Sequence, residues 1–230
     1  LSRRQRQMCI RDRFLSFCLL AFSYISPILA QKDSVNSSNY LLIINSYTEA
    51  APWSFRMISA ITEYAQNSPQ LALYTEHMNM LMMDTDSTLN EFRQAVLEKY
   101  KRHSPRMLIL LGNSSMILRD DFRKMWGNIP IILCAEEDYI GPKEFYLQKK
   151  PVELTARTPI ADMAQPYNLT FLHSNFYIKE NIDLICRMTP DIKNFIFIGD
   201  ERQNNQTYNM VIKQELQKSH PDINLSLIHI

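Results

Sequence analysis

From Tyr40 onward, short apolar runs alternate with longer segments that mix apolar and polar residues. Several of the short runs are apolar at consecutive positions, which is typical of strands buried on both faces of a parallel sheet. The predicted strands are Leu41–Asn45, Leu71–Glu76, Met107–Leu111, Ile129–Cys134, Leu169–Leu172 and Phe195–Ile198.

The segments between these strands carry apolar residues at helical spacing. Pro52 predicts the start of the first helix, and Met57 and Ile61 fall on one face of it. Thr88 and Glu91 form a capping-box pattern that predicts the start of the second helix. Further helices are predicted at Leu118–Trp126, closed by Gly127, at Ile178–Met188 and at Tyr208–Leu216.

Strand–helix alternation of this kind predicts an α/β fold with an open parallel sheet covered on both faces. The pattern lapses over residues 139–166, which hold four prolines and are too long for an ordinary loop. We therefore expect a first α/β lobe at 40–138, a crossover or hinge at 139–166, and the start of a second α/β lobe at 167–224.

The two ends of the chain are related to each other at the level of DNA. Met8–Arg13 and Leu225–Ile230 can be back-translated into sequences that are reverse complements of one another. The shared sequence resembles the transposase end of a common sequencing adapter. We therefore predict that 1–13 and 225–230 are translated adapter and make few native contacts.

An uncharged, mostly apolar stretch runs from Phe14 to Ala30 and gives way abruptly to the polar linker 31–39. Its length and its late Pro27 suit a signal peptide better than a spanning helix. We expect 14–30 to be a signal peptide and the protein to be periplasmic or otherwise extracytoplasmic. An uncleaved membrane anchor is the alternative.

The charge balance argues against nucleic acid as a partner. Formal net charge is +1, but the first 13 residues contribute five arginines and one aspartate, and 20 basic against 23 acidic residues remain. Four glycines in the whole chain exclude a glycine-rich phosphate loop. Among the cysteines, Cys134 and Cys186 are expected to be buried free thiols, and a disulfide between them is the alternative.

Polar and aromatic residues follow the predicted strands at their carboxyl ends, where open α/β sheets bind ligands. A mixture of this kind suits a small polar organic ligand, although each member could also serve as a helix cap. The candidate ligand-binding residues are Ser46, Tyr47, Trp53, His77, Asn79, Asn113, Ser114, Glu136, Glu137, Asn175 and Asp200.

No metal, cofactor or catalytic pattern accompanies these residues. Glu136-Glu137-Asp138 lacks the spacing of a calcium loop, and the histidines lack zinc-ligand spacing. Ser114 is not in a nucleophile-elbow motif. We therefore expect a binding domain without catalytic residues or cofactors, and a periplasmic α/β enzyme is the third alternative.

Several motifs together resemble a known group of proteins. These are Leu42–Tyr47 followed by Pro52-Trp53, Glu76–Asn79, Met107–Gly112, Trp126 before Ile129–Ile132, and Asp191–Asp200. The group is the ABC-type substrate-binding proteins of the type I periplasmic-binding-protein kind, together with the related extracytoplasmic input domains of bacterial hybrid sensor histidine kinases.

The resemblance implies two Rossmann-like lobes that close on a ligand, with the second lobe truncated here. It implies the sensory input domain of a two-component histidine kinase as the function, and a free ABC-transporter substrate-binding protein as the alternative. The implied partners are a small-molecule ligand, the membrane through the signal peptide or a downstream segment, and a kinase module or a transporter permease.

Overall fold

The computed structural model describes residues 39–68, 70–148, 154–200 and 203–229. The predicted signal peptide at 14–30, the leading segment 1–13 and the linker up to residue 38 lie outside this part of the chain. The described residues belong to one compact unit. Each helix in these ranges falls short of the length and apolarity that a membrane crossing requires.

The strands are β1 Tyr40–Asn45, β2 Ala72–His77, β3 Met107–Leu111, β4 Ile131–Ala135, β5 Tyr139–Ile140, β6 Thr158–Pro159, β7 Leu169–His173, β8 Asn194–Gly199 and β9 Asn224–His229. Five of them form the parallel main sheet in the order β2-β1-β3-β4-β7. Central strand β1 is buried at all six positions, and Ile43 lies opposite Thr75 of β2 and Ile109 of β3.

The helices follow the strands as the apolar spacing predicts. Gly127 has a φ of 72° and closes its helix. A 3-10 helix, Asn113–Leu118, precedes the third helix and another, Leu154–Ala156, precedes β6. The α-helices are α1 Pro52–Gln66, α2 Asp86–Tyr100, α3 Arg119–Trp126, α4 Lys143–Leu147, α5 Ile160–Ala164, α6 Ile178–Met188 and α7 Gln203–Ser219.

The predicted capping box at Thr88 and Glu91 is wrong by one turn. Thr85 is the residue before α2, and its hydroxyl accepts a hydrogen bond from the Thr88 backbone N–H at 3.3 Å. Thr88 instead lies in the first turn of the helix, where its own hydroxyl donates back to the Thr85 carbonyl at 2.9 Å. A second threonine three residues upstream offers the same chemistry, so the sequence pattern alone placed the cap too late.

Alternate residues of the central strands face two separate cores. Leu42, Ile44 and Leu108 belong to the larger core, which α2 and α3 cover. Leu41 and Ile43 belong to the smaller core, against which Trp53, Met57 and Ile61 of α1 pack. This period of two on both faces of β1 confirms the predicted parallel sheet with helices on both sides.

The segment 139–166 differs from the predicted crossover. Its described residues form β5, α4, β6 and α5, with β5 and β6 paired antiparallel. Phe145, Tyr146, Leu147, Ile160 and Met163 are buried in the larger core of the main sheet. The buried runs are too short to show a period, and the prolines around them suggested a loop.

The predicted start of the second lobe at 167 also differs from the structure. Strand β7 pairs in parallel with β4, so that Leu133 lies opposite Phe171, and it completes the main sheet as its fifth strand. The change of sheet therefore comes after β7. An apolar run shows that a strand exists, but it does not show which edge the strand joins.

Strands β8 and β9 form a second, parallel sheet, with Phe195 opposite Leu225 and Phe197 opposite Leu227. The expectation that residues 225–230 make few contacts is therefore wrong for 225–229, which form most of β9. Leu225, Leu227 and Ile228 are apolar and compatible with a strand, and β8 offers an edge for them to pair with.

Candidate ligand site at the carboxyl edge of the sheet

The turns after β1 and β3 are held together by Ser46. Its side chain is buried, donates a hydrogen bond to the Gly112 carbonyl at 3.3 Å, and accepts one from the Ser115 backbone N–H at 3.0 Å. The Ser115 hydroxyl also donates to the Gly112 carbonyl, at 2.7 Å. Ser46 is therefore placed at the predicted edge, where it organises the backbone of the two turns.

Tyr47 lies over the end of β3 because Gly112 has no side chain. Gly112 has a φ of +89°, and a Cβ there would lie 2.9 Å from Ser46 Cβ and 3.0 Å from Tyr47 Cε2. The Tyr47 ring meets the Trp53 ring edge-on, with centroids 5.7 Å apart. Trp53 in turn packs against the smaller core beneath α1, so this residue supports both the helix and Tyr47.

Asn113 shapes the loop that carries the two candidate glutamates. Its amide nitrogen donates to the carbonyls of Glu137 at 2.8 Å and Tyr139 at 3.1 Å. Its amide oxygen accepts from the backbone N–H groups of Glu136 and Glu137, each at 3.3 Å. Asn113 therefore positions the site through the backbone, and neighbouring Ser114 is buried in the 3-10 helix that begins there.

Glu137 forms an ion pair with Arg157 inside the protein. The guanidinium Nη1 lies 3.1 Å from Glu137 Oε2, and the two side chains are 3% and 12% exposed. The guanidinium also stacks over the Phe145 ring at 4.4 Å from its centroid. Burial raises the pKa of the Glu137 carboxyl, and the positive charge of Arg157 opposes that rise.

Glu136 joins the main sheet to α7. The Tyr208 hydroxyl donates to Glu136 Oε2 at 3.0 Å, across 72 positions of sequence. Burial is the larger cause that raises the pKa of the Glu136 carboxyl, the hydrogen bond from Tyr208 opposes it, and the charge of Glu137 adds to it. Burial and the neighbouring Glu136 raise the pKa of Tyr208 as well, so its hydroxyl stays a donor.

Phe176 and His173 lie beside the contact between Glu136 and Tyr208. The Phe176 ring lies against the Tyr208 ring, with centroids 4.5 Å apart. His173, the last residue of β7, places its Nε2 3.0 Å from the Glu136 carbonyl and its Nδ1 3.5 Å from an Asp138 carboxylate oxygen. Carboxylates, a phenol and exposed aromatic edges thus meet beyond the ends of β4 and β7.

The candidates after β2 lie at the other end of the same edge. His77 Nδ1 is 2.9 Å from the side-chain amide of Asn45, which is fully buried at the end of β1. Asn79 has a left-handed backbone with a φ of 51°, and its side-chain oxygen is buried without a hydrogen-bond partner in the described structure. His77 therefore helps to fix the Asn45 side chain at this edge of the sheet. The Asn79 side-chain oxygen is a hydrogen-bond acceptor there that has no partner in the described structure.

The remaining two candidates lie elsewhere. Asn175 is exposed in the segment after β7. Asp200 follows β8 of the second sheet, where it accepts a hydrogen bond from Asn205 at 2.6 Å. The described residues contain no cluster of three or more His, Cys, Asp or Glu side chains that could hold a metal ion.

Three contributors to the site were not predicted. The sequence places Tyr208 only in the apolar stripe of its helix, Arg157 within the predicted crossover, and His173 among several scattered histidines. One sequence signal could have identified Tyr208. It is the first residue of the apolar stripe of its helix, and a tyrosine can pack its ring in a core while its hydroxyl group reaches a polar site.

No protein-family model matches the chain, and no curated protein sequence matches it. Among solved structures, a conserved domain protein from Vibrio cholerae is similar, with a TM-score of 0.50 and 10% identity over 84% of this chain and 58% of that one. A putative LacI transcriptional regulator from Bacteroides fragilis is similar, with a TM-score of 0.51 and 13% identity over 84% of this chain and 60% of that one.

These likenesses bear on the fold alone. The chain spans about 58–60% of the length of the two solved structures. The protein has an α/β fold with an open parallel sheet, as the sequence predicts, and this fold is similar to that of the two solved structures.

Proposed function

We propose that the chain binds a small polar ligand at the carboxyl edge of the main sheet. One observation carries the proposal. Tyr208 of α7, the helix between the two strands of the second sheet, and Glu136, the residue after β4, meet through a 3.0 Å hydrogen bond, so polar side chains from two parts of the chain converge at one place. Ligands of open α/β sheets bind at this edge.

The chemistry of the edge favours hydrogen bonding combined with stacking. Glu136 and Glu137 supply carboxylate acceptors, and Tyr47, Tyr208 and Phe176 supply aromatic faces or edges. Binding would be favoured if a ligand contacted both sheets, because such a ligand stabilises the form in which they are docked. Ligand binding would then increase the fraction of molecules in which the two sheets are docked.

We propose binding rather than catalysis for this edge. The buried Ser46 and Ser115 hydroxyls are held in hydrogen bonds with the backbone of Gly112 and Ser115. A nucleophilic serine needs a base to accept its proton, and these two donate to a carbonyl instead.

We further propose that the domain acts outside the cytoplasm as the input domain of a sensor histidine kinase. The apolar stretch Phe14–Ala30 and the sequence resemblance support this role. A free substrate-binding protein of a transporter needs the same closure. The sequence of the gene downstream of residue 224 distinguishes a sensor from a transporter protein. In a sensor kinase, the second lobe is followed by an apolar run of about 20 residues and then by a kinase.

Thermal denaturation with a panel of amino acids, short peptides, sugars and nucleosides tests ligand binding. We expect at least one compound class to raise the melting temperature in proportion to the logarithm of its concentration. Glu136→Gln should reduce the shift, because it removes the carboxylate charge while keeping the shape.

Glu98→Gln is the matched control, because Glu98 is 71% exposed on α2 and pairs only with Lys101 among the contacts described. It should leave the shift unchanged. The proposal fails if compounds stabilise the wild type and both variants equally.

A further inference from the structure

A cavity of about 300 Å³ lies between α6, α7 and the strands of the second sheet. Ile178, Ile182 and Ile185 line it from one face of α6, and Phe195 and Phe197 line it from one face of β8. Helical spacing of three or four and strand spacing of two therefore direct these apolar side chains to the same space. Ile182 is buried, so one wall of the cavity lies inside the protein.

The polar side chains on the walls have their donors engaged elsewhere. The Tyr208 hydroxyl donates to Glu136 at 3.0 Å, so Tyr208 contributes its ring to the wall. The side-chain nitrogen of Asn181 donates to the Tyr177 carbonyl at 2.8 Å, at the start of α6. Every other described residue of the lining is an isoleucine, a phenylalanine or a leucine. A bound molecule would therefore meet mainly hydrocarbon and aromatic surface.

We propose that this cavity binds an uncharged, apolar molecule of one or two rings. A charged molecule would lose its hydration there without gaining hydrogen bonds in return. An apolar molecule is favoured instead, because it and the cavity walls are withdrawn from water together. Phe176, Ile185 and Ile196 line the cavity and are themselves exposed, so they have apolar surface that a bound molecule can cover.

The volume of the cavity indicates the size of the molecule. A dry apolar cavity of about 150 Å³ in another protein binds benzene, and the present cavity is about twice as large. It therefore has room for a two-ring molecule such as indole. The rings of Phe176 and Tyr208 are tilted by 55° with centroids 4.5 Å apart, and they form an aromatic wall against which such a molecule can pack.

This site differs from the polar-ligand site proposed above, and it does not depend on that role. The carboxylates of the main-sheet edge are not part of its described lining. Leu225 is the one described lining residue that comes from segment 225–230, so the cavity does not depend on the origin of that segment.

Titration of indole into the full chain, followed by NMR of isotope-labelled isoleucine methyl groups, tests the proposal. We expect saturable shifts at Ile182 and Ile212, while Ile43 in the smaller core of the main sheet stays unmoved. Indole carboxylate, which has the same rings and a negative charge, should bind at least about tenfold more weakly. Absence of saturable shifts at Ile182 and Ile212, or equal binding of the carboxylate, overturns the proposal.

Variants that fill the cavity provide the second arm of the test. Ile212→Trp should place a ring inside and weaken indole binding about tenfold or more, read from the Ile182 methyl group. If this variant does not fold, Ile185→Trp, on a partly exposed wall, must show the same loss. Met82→Trp is the control, because it adds the same ring at a position that is 74% exposed and outside the cavity. Unweakened binding in the wall variants, or an equal loss in Met82→Trp, also overturns the proposal.

Discussion

At the scale of single residues, both the fold and the candidate site depend on the absence of a side chain at Gly112. Its φ of +89° is a conformation that residues with a side chain rarely adopt, and a Cβ would contact Ser46 and Tyr47. We expect Gly112→Ala to lower the free energy of unfolding by about 1–3 kcal/mol, measured by urea denaturation.

Gly127→Ala is the matched control, because Gly127 also has a positive φ of +72° but no atom lies within 4 Å of the added Cβ. Its loss should be smaller, and the difference isolates the collision with Ser46 and Tyr47. Equal losses would show that backbone strain alone explains the requirement for glycine at 112.

The buried ion pair between Arg157 and Glu137 gives a second residue-scale prediction. Arg157→Met should destabilise the protein by about 3–5 kcal/mol near pH 7.5, because it leaves the Glu137 carboxylate buried without its guanidinium. Loss of the guanidinium charge raises the pKa of Glu137 further. The stability of the variant therefore falls as the pH rises above about 4.5, the ordinary pKa of a glutamate side chain.

The destabilisation by Arg157→Met should therefore be smaller at pH 4.5 than at pH 7.5, as measured by urea denaturation at both values. Lys99→Met removes an exposed cation that pairs with Glu76 at 2.6 Å and serves as the control. An Arg157→Met effect that does not change with pH would mean that lost packing against Phe145 dominates.

The types of residue at the carboxyl edge were predictable, but their roles depend on which strands are neighbours. Asn113 and Glu136 each follow an apolar run, which places both at the edge. That Asn113 binds the backbone at 136 and 137 requires β3 and β4 to be adjacent. No local pattern encodes the approach of Tyr208, because its partner lies 72 positions away.

At the scale of elements, the start of α2 is fixed by one hydroxyl. Thr85→Ala removes the acceptor for the Thr88 N–H and should cost about 1 kcal/mol in unfolding free energy by urea denaturation. Ser87→Ala is the control, because its hydroxyl bonds only the exposed Glu91 side chain, at 3.4 Å, among the described contacts. A larger effect of Ser87→Ala would place the helix start later than the structure does.

Long apolar runs were predictable as strands, and their observed bounds differ from the predicted ones by at most two residues at either end. The short elements at 139–166 were not, because two-residue strands and five-residue helices are too brief to show a period. The edge that β7 joins was also beyond the sequence, because pairing with β4 is set by tertiary packing. Segment 225–229 forms a strand because its apolar residues suit one and β8 offers an edge to pair with, whatever the origin of the residues.

At the scale of the whole molecule, α7 meets the edge of the main sheet through the contact between Tyr208 and Glu136. We propose that a ligand binds where these two side chains converge. A ligand that contacts both Glu136 and Tyr208 would therefore stabilise the form in which α7 is docked on the main sheet.

Mapping a stabilising compound onto the protein by amide NMR tests the central claim most directly. The compound identified by thermal denaturation would be titrated into isotopically labelled protein until the shifts saturate. We expect the largest saturable shifts at Tyr47, Glu136, His173 and Tyr208, with the amides on the outer face of α2 unmoved. Saturable shifts confined to residues away from the carboxyl edge of the main sheet would contradict the account.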